Sequence, residues 1–337
     1  MTMEIPKTYR ALVVRENDDG TFVKSTEEVG FEFLPDNDVV IKVHYAALNY
    51  KDALSASGHR GITKKYPHTP GVDASGVVVR SRDDRYAPGD AVIVTSYDLG
   101  MNTKGGFAEY ISVPGDWVIA LPAGLSLREA MVIGTGGFTA ALALHKMEAG
   151  GQHPDMGEIV VTGAGGGVGS MAVAVFKAAG YKVIASSGKT EHYPWLKKIG
   201  AKHCVNREEV RDESEKPLLR PRWAGAVDTV GGKTLTTLLK ACGRNGNVAA
   251  CGLVASPKFD TTVYPFILNG VNLLGIESAE TPRKVRQEIW KRLAGDLKPP
   301  LIEEMQHITT LEKIPDYMDD ILEGETSGRV VAHIADA

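Results

Sequence analysis

Cysteine is scarce in this chain. Its 337 residues include three cysteines, Cys204, Cys242 and Cys251, with no Cys-x-x-Cys spacing and no even count. That suits a reducing compartment and supplies neither a disulfide framework nor a metal framework. Packing as small hydrophobes is the plain reading of all three. The nine histidines are scattered, with no His-x-x-x-His pair suited to a metal. An excess of one charge is missing too: a formal net charge of −4 gives no electrostatic reason to expect nucleic acid or an acidic membrane. No run reaches the roughly 18 apolar residues that span a bilayer. The opening "MTMEIPKTYRALVV" lacks the apolar core of a secretory leader. Internal repeats and low-complexity tracts are absent. The chain is expected to be soluble and cytoplasmic, with room for two domains of ordinary size.

What is present changes character along the chain. Through about residue 125, short apolar runs such as "ALVV", "DVVIKVHYAAL", "ASGVVVR", "DAVIVTS" and "FAEYISVP" are separated by Gly, Pro and Asp. That is the rhythm of a β-rich, partly open barrel. "LSLREAMVIGTGGFTAALALHKM" (125–147) switches to helical spacing, with Ser126 as N-cap and Glu129 three residues on. From Glu158 strands alternate with helices, which implies a parallel sheet with crossovers on both faces. The expected fold class is α/β, a β-rich catalytic domain plus a doubly wound parallel sheet. The sheet domain is placed at 129–269 and the catalytic domain at 1–128, with a C-terminal return over 270–337. The apolar passage "TTVYPFILNGVNLLGI" reads as a strand, and the mixed-charge stretch 207–222 as a solvated surface excursion.

Within the sheet domain, "VVTGAGGGVGSMAVAV" runs from a strand through glycines into a helix. Ala164-Gly165-Gly166-Gly167-Val168-Gly169 fits A-x-G-x-x-G, with alanine in the first glycine's place. Gly166 lets a pyrophosphate approach the backbone, and Gly169 lets the helix pack on its strand, so the phosphates meet the helix N-terminus at Gly167 and Val168. The strand before, the helix after and a second strand at the right interval supply the context a lone glycine pattern lacks. A tight turn without a ligand is the alternative. The second strand ends "ASSGK" where an NAD site usually carries Asp or Glu for the ribose 2′-hydroxyl. Ser186, Ser187 and Lys189 would instead neutralise a 2′-phosphate, so the expected cofactor is NADPH. Lys189 as an ordinary surface lysine is the alternative, and Glu191 lies two residues too late for the ribose acid.

At this point the chain resembles the medium-chain dehydrogenase/reductase superfamily. The stretches that carry the resemblance are "LNYKDAL", "PGVDASGVV", "GTGGFTAALAL", "GAGGGVGSMAV", "VDTVGG" and "GR" at 328–329. The resemblance runs through nearly the whole chain and implies a GroES-like catalytic domain beside a Rossmann domain. Zinc alcohol dehydrogenases of this superfamily use Cys, His and Cys ligands. Here Asn49 stands at the first ligand position, Val72 and Asp73 replace the His-Glu pair, and no cysteine precedes Cys204. That ligand set supplies no Lewis acid, so no metal is expected. "LNYKDALSASG", "ASSGKTEHYPWLKKIGA" and "WAGAVDTVGGKTL" resemble the acrylyl-CoA reductase (YhdH/AcuI-type) subgroup. This implies NADPH-dependent reduction of a short 2-enoyl-CoA, acryloyl-CoA to propionyl-CoA. An NADPH:quinone oxidoreductase on the same scaffold is the alternative, and a non-catalytic NADPH-binding protein a remote one.

The resemblance places Tyr50 beside the nicotinamide as the candidate catalytic residue, positioning cofactor or substrate or supplying the proton. A packed aromatic with a satisfied hydroxyl is the alternative. Asn49 and Asp52 are read as braces of that turn. Thr139, Leu253, Phe266, Ser278 and Arg329 are implied further cofactor contacts. For Thr139 a bond to its own helix backbone is the alternative, and for Arg329 a solvated strand edge. Arg60, Lys64 and Lys65 in "SGHRGITKKYPH" could meet the phosphates of CoA, or simply keep a loop soluble. The apolar passage after Val263 is too long for an exposed sheet edge, so pairing with a second copy would give a homodimer.

Overall fold

The computed structural model describes residues 5–336. It divides into two compact units. One comprises the chain up to Thr135 together with Ala279–Glu288 and the segment from Gln306 onward, and the other Gly136–Ser278 with Ile289–Met305.

The first unit is built on a seven-stranded sheet whose centre is Val39–Ala47. That strand pairs antiparallel with Asp73–Ser81, Tyr110–Val113 and Arg329–His333. Its sequence VVIKVHYAA is buried at nearly every position, which is why it reads as a continuous apolar run rather than an alternating one. Ala91–Thr95 and Val118–Ala120 extend one side, and Gln306–Thr310 the other. A hairpin of Thr8–Glu16 and Phe22–Gly30 forms a separate two-stranded sheet. Leu12, Ile41, Leu99, Phe107 and Ile111 lie at the centre of the core.

The second unit holds six parallel strands. Across the sheet they run Ala201–Val205, Val183–Ser186, Ile159–Val161, Trp223–Asp228, Cys242–Ala250 and Asn272–Gly275. In chain order this is 3-2-1-4-5-6, the doubly wound arrangement. Its switch point lies between Ile159–Val161 and Trp223–Asp228, and the crevice beyond their carboxyl ends is where such sheets bind ligands.

Two expectations change. The domain boundary falls at Thr135 rather than at 128, and residues 270–278 and 289–305 stay with the parallel sheet. The reason is pairing and packing: Asn272–Gly275 continues the sheet beside Cys242–Ala250, and Trp290 stacks on Phe138 at 6.3 Å. The apolar passage after Val263 is also not one strand. Pro265 in the first turn and Gly270 at φ 62° bracket a helix, Tyr264–Asn269, and only four residues of strand follow. Among the described residues no helix is long and apolar enough to cross a membrane.

His68 sits in the first core, 2% exposed. Its Nε2–H donates to Gly100 O at 2.9 Å, and burial pulls the imidazole down to about 4. Between that value and the ordinary 6.5 the unfolded chain binds the extra proton and the folded one does not, so acid favours unfolding. The contribution is full above pH 6.5 and fades toward pH 4, by about 3 kcal/mol. Urea denaturation from pH 4 to 7 checks it: His68→Gln, whose amide nitrogen can replace Nε2, should show a flatter pH dependence than the wild type.

Candidate functional site

In the second unit the first strand runs into the glycine turn at the switch point. Thr162 Oγ1 donates to Asp228 Oδ1 at 2.6 Å and accepts from Thr229 N at 3.1 Å. Gly231 N donates to Asp228 Oδ2 at 2.8 Å. These bonds tie the ends of the two central strands together. Gly163, at φ 58°, makes the sharp turn. It does the work that the A-x-G-x-x-G reading left to Ala164, one position later. A methyl group on Gly169 would overlap Gly163 O, so the helix Gly167–Ala178 sits directly on the turn. Gly166 is exposed and Gly167 and Val168 are half-buried, which leaves the first-turn amides open to an anion.

The second strand ends at Ser186, buried with its Oγ lacking any partner among the described residues. Ser187 Oγ accepts from Lys189 N at 3.1 Å. Glu191 is exposed. Sequence reasoning missed two neighbours. A methyl group on Gly188 would come within 2.7 Å of Arg207 Nε, so that guanidinium lies against the strand end. A methyl group on Gly165 would come within 2.8 Å of His192 Nδ1 and 3.7 Å of Ser187 Oγ. Arg207 is the first residue of the stretch read as a surface excursion. The only signal for it was a cation just after the third strand. The group fits the adenosine half of NADPH on its own geometry: a glycine cradle that side chains would fill, an orphaned buried hydroxyl, and a guanidinium against the end of the second strand.

Four of the remaining expected cofactor contacts fall in this unit. Thr139 Oγ1 donates to Ser278 Oγ at 2.9 Å, so those two residues are brought together. Leu253 is 63% exposed. Phe266 is half-buried and packs against the core beside the strand Cys242–Ala250. Cys251 Sγ donates to Asp228 O, and burial pushes the thiol up to about 12.

In the first unit Tyr50 opens the helix Tyr50–Ala56 and is 48% exposed, so it is not a packed core aromatic. The turn before it is braced as expected. Asp52, fully buried, accepts from Asn49 N at 2.8 Å, Val72 N at 2.9 Å and Gly71 N at 3.0 Å. Burial pushes its carboxyl up to about 7, against these donors. Asn49 Nδ2 donates to Asp73 Oδ2 at 2.8 Å.

Arg329 corrects its expectation. It is 3% exposed and neither edges solvent nor reaches for a phosphate. Its guanidinium donates to Val132 O at 3.1 Å, Asn49 Oδ1 at 3.2 Å and Asp73 Oδ2 at 3.4 Å. The "GTGG" motif serves the same pair. Gly134, at φ 48°, breaks the helical segment Leu127–Ala149, and Thr135 N then donates to Asp73 Oδ2 at 2.8 Å. Arg60 is likewise committed: it pairs with Glu16 and lies 5.4 Å from the Tyr66 ring centroid. Lys64 and Lys65 are exposed.

With these sites described, the class of protein is defined. The chain belongs to the medium-chain dehydrogenase/reductase superfamily: residues 35–123 match the alcohol dehydrogenase GroES-like domain and residues 167–295 the zinc-binding dehydrogenase family. Among the described residues no group of three His, Cys, Asp or Glu could hold a metal ion. In particular, the chain is similar to acrylyl-CoA reductase AcuI of Ruegeria pomeroyi, 40% identical over 327 residues, 97% of this chain and 99% of that one. It is 46% identical to YhfP of Bacillus subtilis over 97% of this chain and 99% of the relative, whose name assigns it provisionally to the quinone oxidoreductases. The crystal structure of YhfP with NAD bound matches with a TM-score of 0.95, covering 97% and 100% of the two chains. The yhdH oxidoreductase from Salmonella enterica in complex with NADP matches at 0.94 and 43% identity, with the same coverage.

Removing one partner of a buried pair strands the other charge, at a cost of roughly 3–5 kcal/mol. Arg329→Met should therefore lower the denaturation midpoint sharply, while the exposed pair variant Arg82→Met should barely move it. Thermal melting of both variants beside the wild type checks this.

Proposed function

We propose that this oxidoreductase reduces the C=C bond of a short 2-enoyl-CoA with NADPH, acryloyl-CoA to propionyl-CoA. The observation that carries the cofactor is the strand end, where Ser187 Oγ accepts from Lys189 N, the Arg207 guanidinium lies against Gly188, and serine stands where an NAD site usually carries its ribose acid. An acid there would repel a 2′-phosphate, and these groups neutralise it. Support for the reaction comes from similarity to AcuI over nearly the whole chain.

When bound, NADPH supplies a hydride to the β-carbon of the thioester-conjugated alkene and leaves as NADP⁺. The electron pair displaced from the alkene moves to the thioester oxygen as an enolate, and the α-carbon then takes a proton. In this chain Tyr50 supplies that proton from its exposed hydroxyl. Asn49 and Asp52 hold the backbone of the turn from which Tyr50 projects. Lys64 and Lys65 meet the CoA phosphates, Arg60 being engaged elsewhere.

A quinone acceptor on the same cofactor site is the second reading, favoured by the name of YhfP. The protein is a cytoplasmic homodimer in this proposal. Val263, Ile267 and Leu268, each more than half exposed, lie beside the edge strand Asn272–Gly275 and would be covered by the second copy.

The deciding experiment follows loss of reduced nicotinamide absorbance with acryloyl-CoA, crotonyl-CoA and a benzoquinone, each with NADPH and NADH. Fast turnover of acryloyl-CoA with NADPH is expected. Efficient quinone reduction with inert thioesters would transfer the assignment to the second reading, and no turnover of any acceptor would leave a cofactor-binding protein. Tyr50→Phe should lower kcat by roughly a hundredfold or more with KM for NADPH unchanged. An unchanged kcat would remove Tyr50 from proton transfer.

A further inference from the structure

Beside the orphaned Ser186 hydroxyl, the half-buried imidazole of His192 is a second side chain at the strand end with a buried polar atom that has no protein partner among the described residues. Its Nδ1 is shut off from water and makes no hydrogen bond among the described residues. A buried ring nitrogen without a partner costs free energy, and a ligand atom that met it would recover that cost.

The surroundings say where such an atom would lie. Nδ1 stands against Gly165 of the glycine turn, and Ser187 Oγ is close to the same point. One belongs to the turn after the first strand, the other to the end of the second. In a doubly wound sheet the adenosine ribose sits between those two places, with its 2′ substituent toward the second strand. Nor is the ring loosely placed. His192 N donates to Lys189 O at 3.2 Å, closing a short turn, and its ring stands edge-on to Trp195 at 6.4 Å.

We infer that His192 is a specificity-determining residue for the cofactor, its Nδ1–H donating to the 2′-phosphate of NADPH. The inference rests on the NADPH reading above. Lys189 and Arg207 supply positive charge at the strand end, Arg207 with Glu208 3.7 Å from its Nε. A ring nitrogen held by the turn supplies direction, and it distinguishes a phosphate oxygen from a hydroxyl by what it can reach. Gly165 is then glycine because any side chain there would occupy the space in front of Nδ1.

Calorimetric titration of the intact protein with 2′,5′-ADP and with 5′-AMP tests this, using the wild type and His192→Ala, His192→Asn and His192→Gln. The wild type should prefer 2′,5′-ADP. His192→Ala should weaken 2′,5′-ADP by roughly ten- to a hundredfold, the size of a lost hydrogen bond to a charged group, and leave 5′-AMP unchanged. Asn, whose amide nitrogen can stand where Nδ1 stands, should restore most of the loss, and Gln should not. The ratio of KM for NADH to KM for NADPH should follow the same order. A wild type indifferent to the 2′-phosphate would sink the NADPH reading itself. A wild type that prefers 2′,5′-ADP but keeps that preference in His192→Ala would leave the reading intact and overturn the role of His192. Equal weakening of both ligands would also overturn it, since that is what lost packing against Gly165 would do.

Discussion

The carboxylate of Asp73 holds together the part of the first unit that carries the Tyr50 turn. It lies at the head of a central strand with no solvent exposure, where an unpaired charge costs several kcal/mol. Its oxygens are met by Asn49 Nδ2, Thr135 N, Thr135 Oγ1 and the Arg329 guanidinium. Those donors come from a turn, a broken helix and the last strand, segments far apart in sequence. None can be displaced without leaving a buried charge short of donors. That is why Asn49, and with it the entry to the helix of Tyr50, has a single position. Gly134 belongs to the same constraint: a methyl group there would stand 2.6 Å from both Arg329 Nη2 and Asp73 Oδ2. The helix breaks at this glycine because the ion pair fills the space a side chain would need.

The second unit is organised differently. Its central strands are tied through neutral and backbone partners of Thr162 and Asp228, with no ion pair between them. Such a frame is indifferent to which dinucleotide it holds. Crystal structures of two relatives on nearly the same backbone contain NAD in one case and NADP in the other. In the proposed reading, discrimination between cofactors therefore belongs to the few side chains at the end of the second strand. On that reading the two serines, a lysine, an arginine and a histidine there provide the donors and positive charge for a 2′-phosphate.

Much of this was legible in the sequence. The alternation of strands and helices announced the parallel sheet, and the glycine turn falls at the switch point of that sheet. Interactions carried by residues distant in sequence were not legible. Arg329 looked like a phosphate ligand or an edge residue because nothing local announces a partner at Asp73. Arg207 and His192 were passed over because each lies on a different excursion of the chain and both converge on glycines only in the fold. The strand expected after Val263 failed for a local reason that could have been read. Pro265 followed by Gly270 is helix punctuation, and apolar composition outweighed it.

Backbone strain supports the same account of the first unit. Ser96 and Tyr97, consecutive and neither of them glycine, both adopt positive φ, 62° and 51°, at roughly 1–2 kcal/mol each. Such strain persists only where the surroundings leave no alternative. The Tyr97 ring is stacked on Trp117 at 5.5 Å and lies under the Arg286 guanidinium at 4.4 Å. Ser96 Oγ is 2.8 Å from Thr135 Oγ1, which also bonds Asp73. Thr135 is thus held by its hydroxyl from one side and by its backbone from the other. A strained pair fixing the residue that fixes the carboxylate leaves little slack between strand, helix break and turn. A substitution at Ser96 should therefore be felt at Asn49, even though the two residues share no bond.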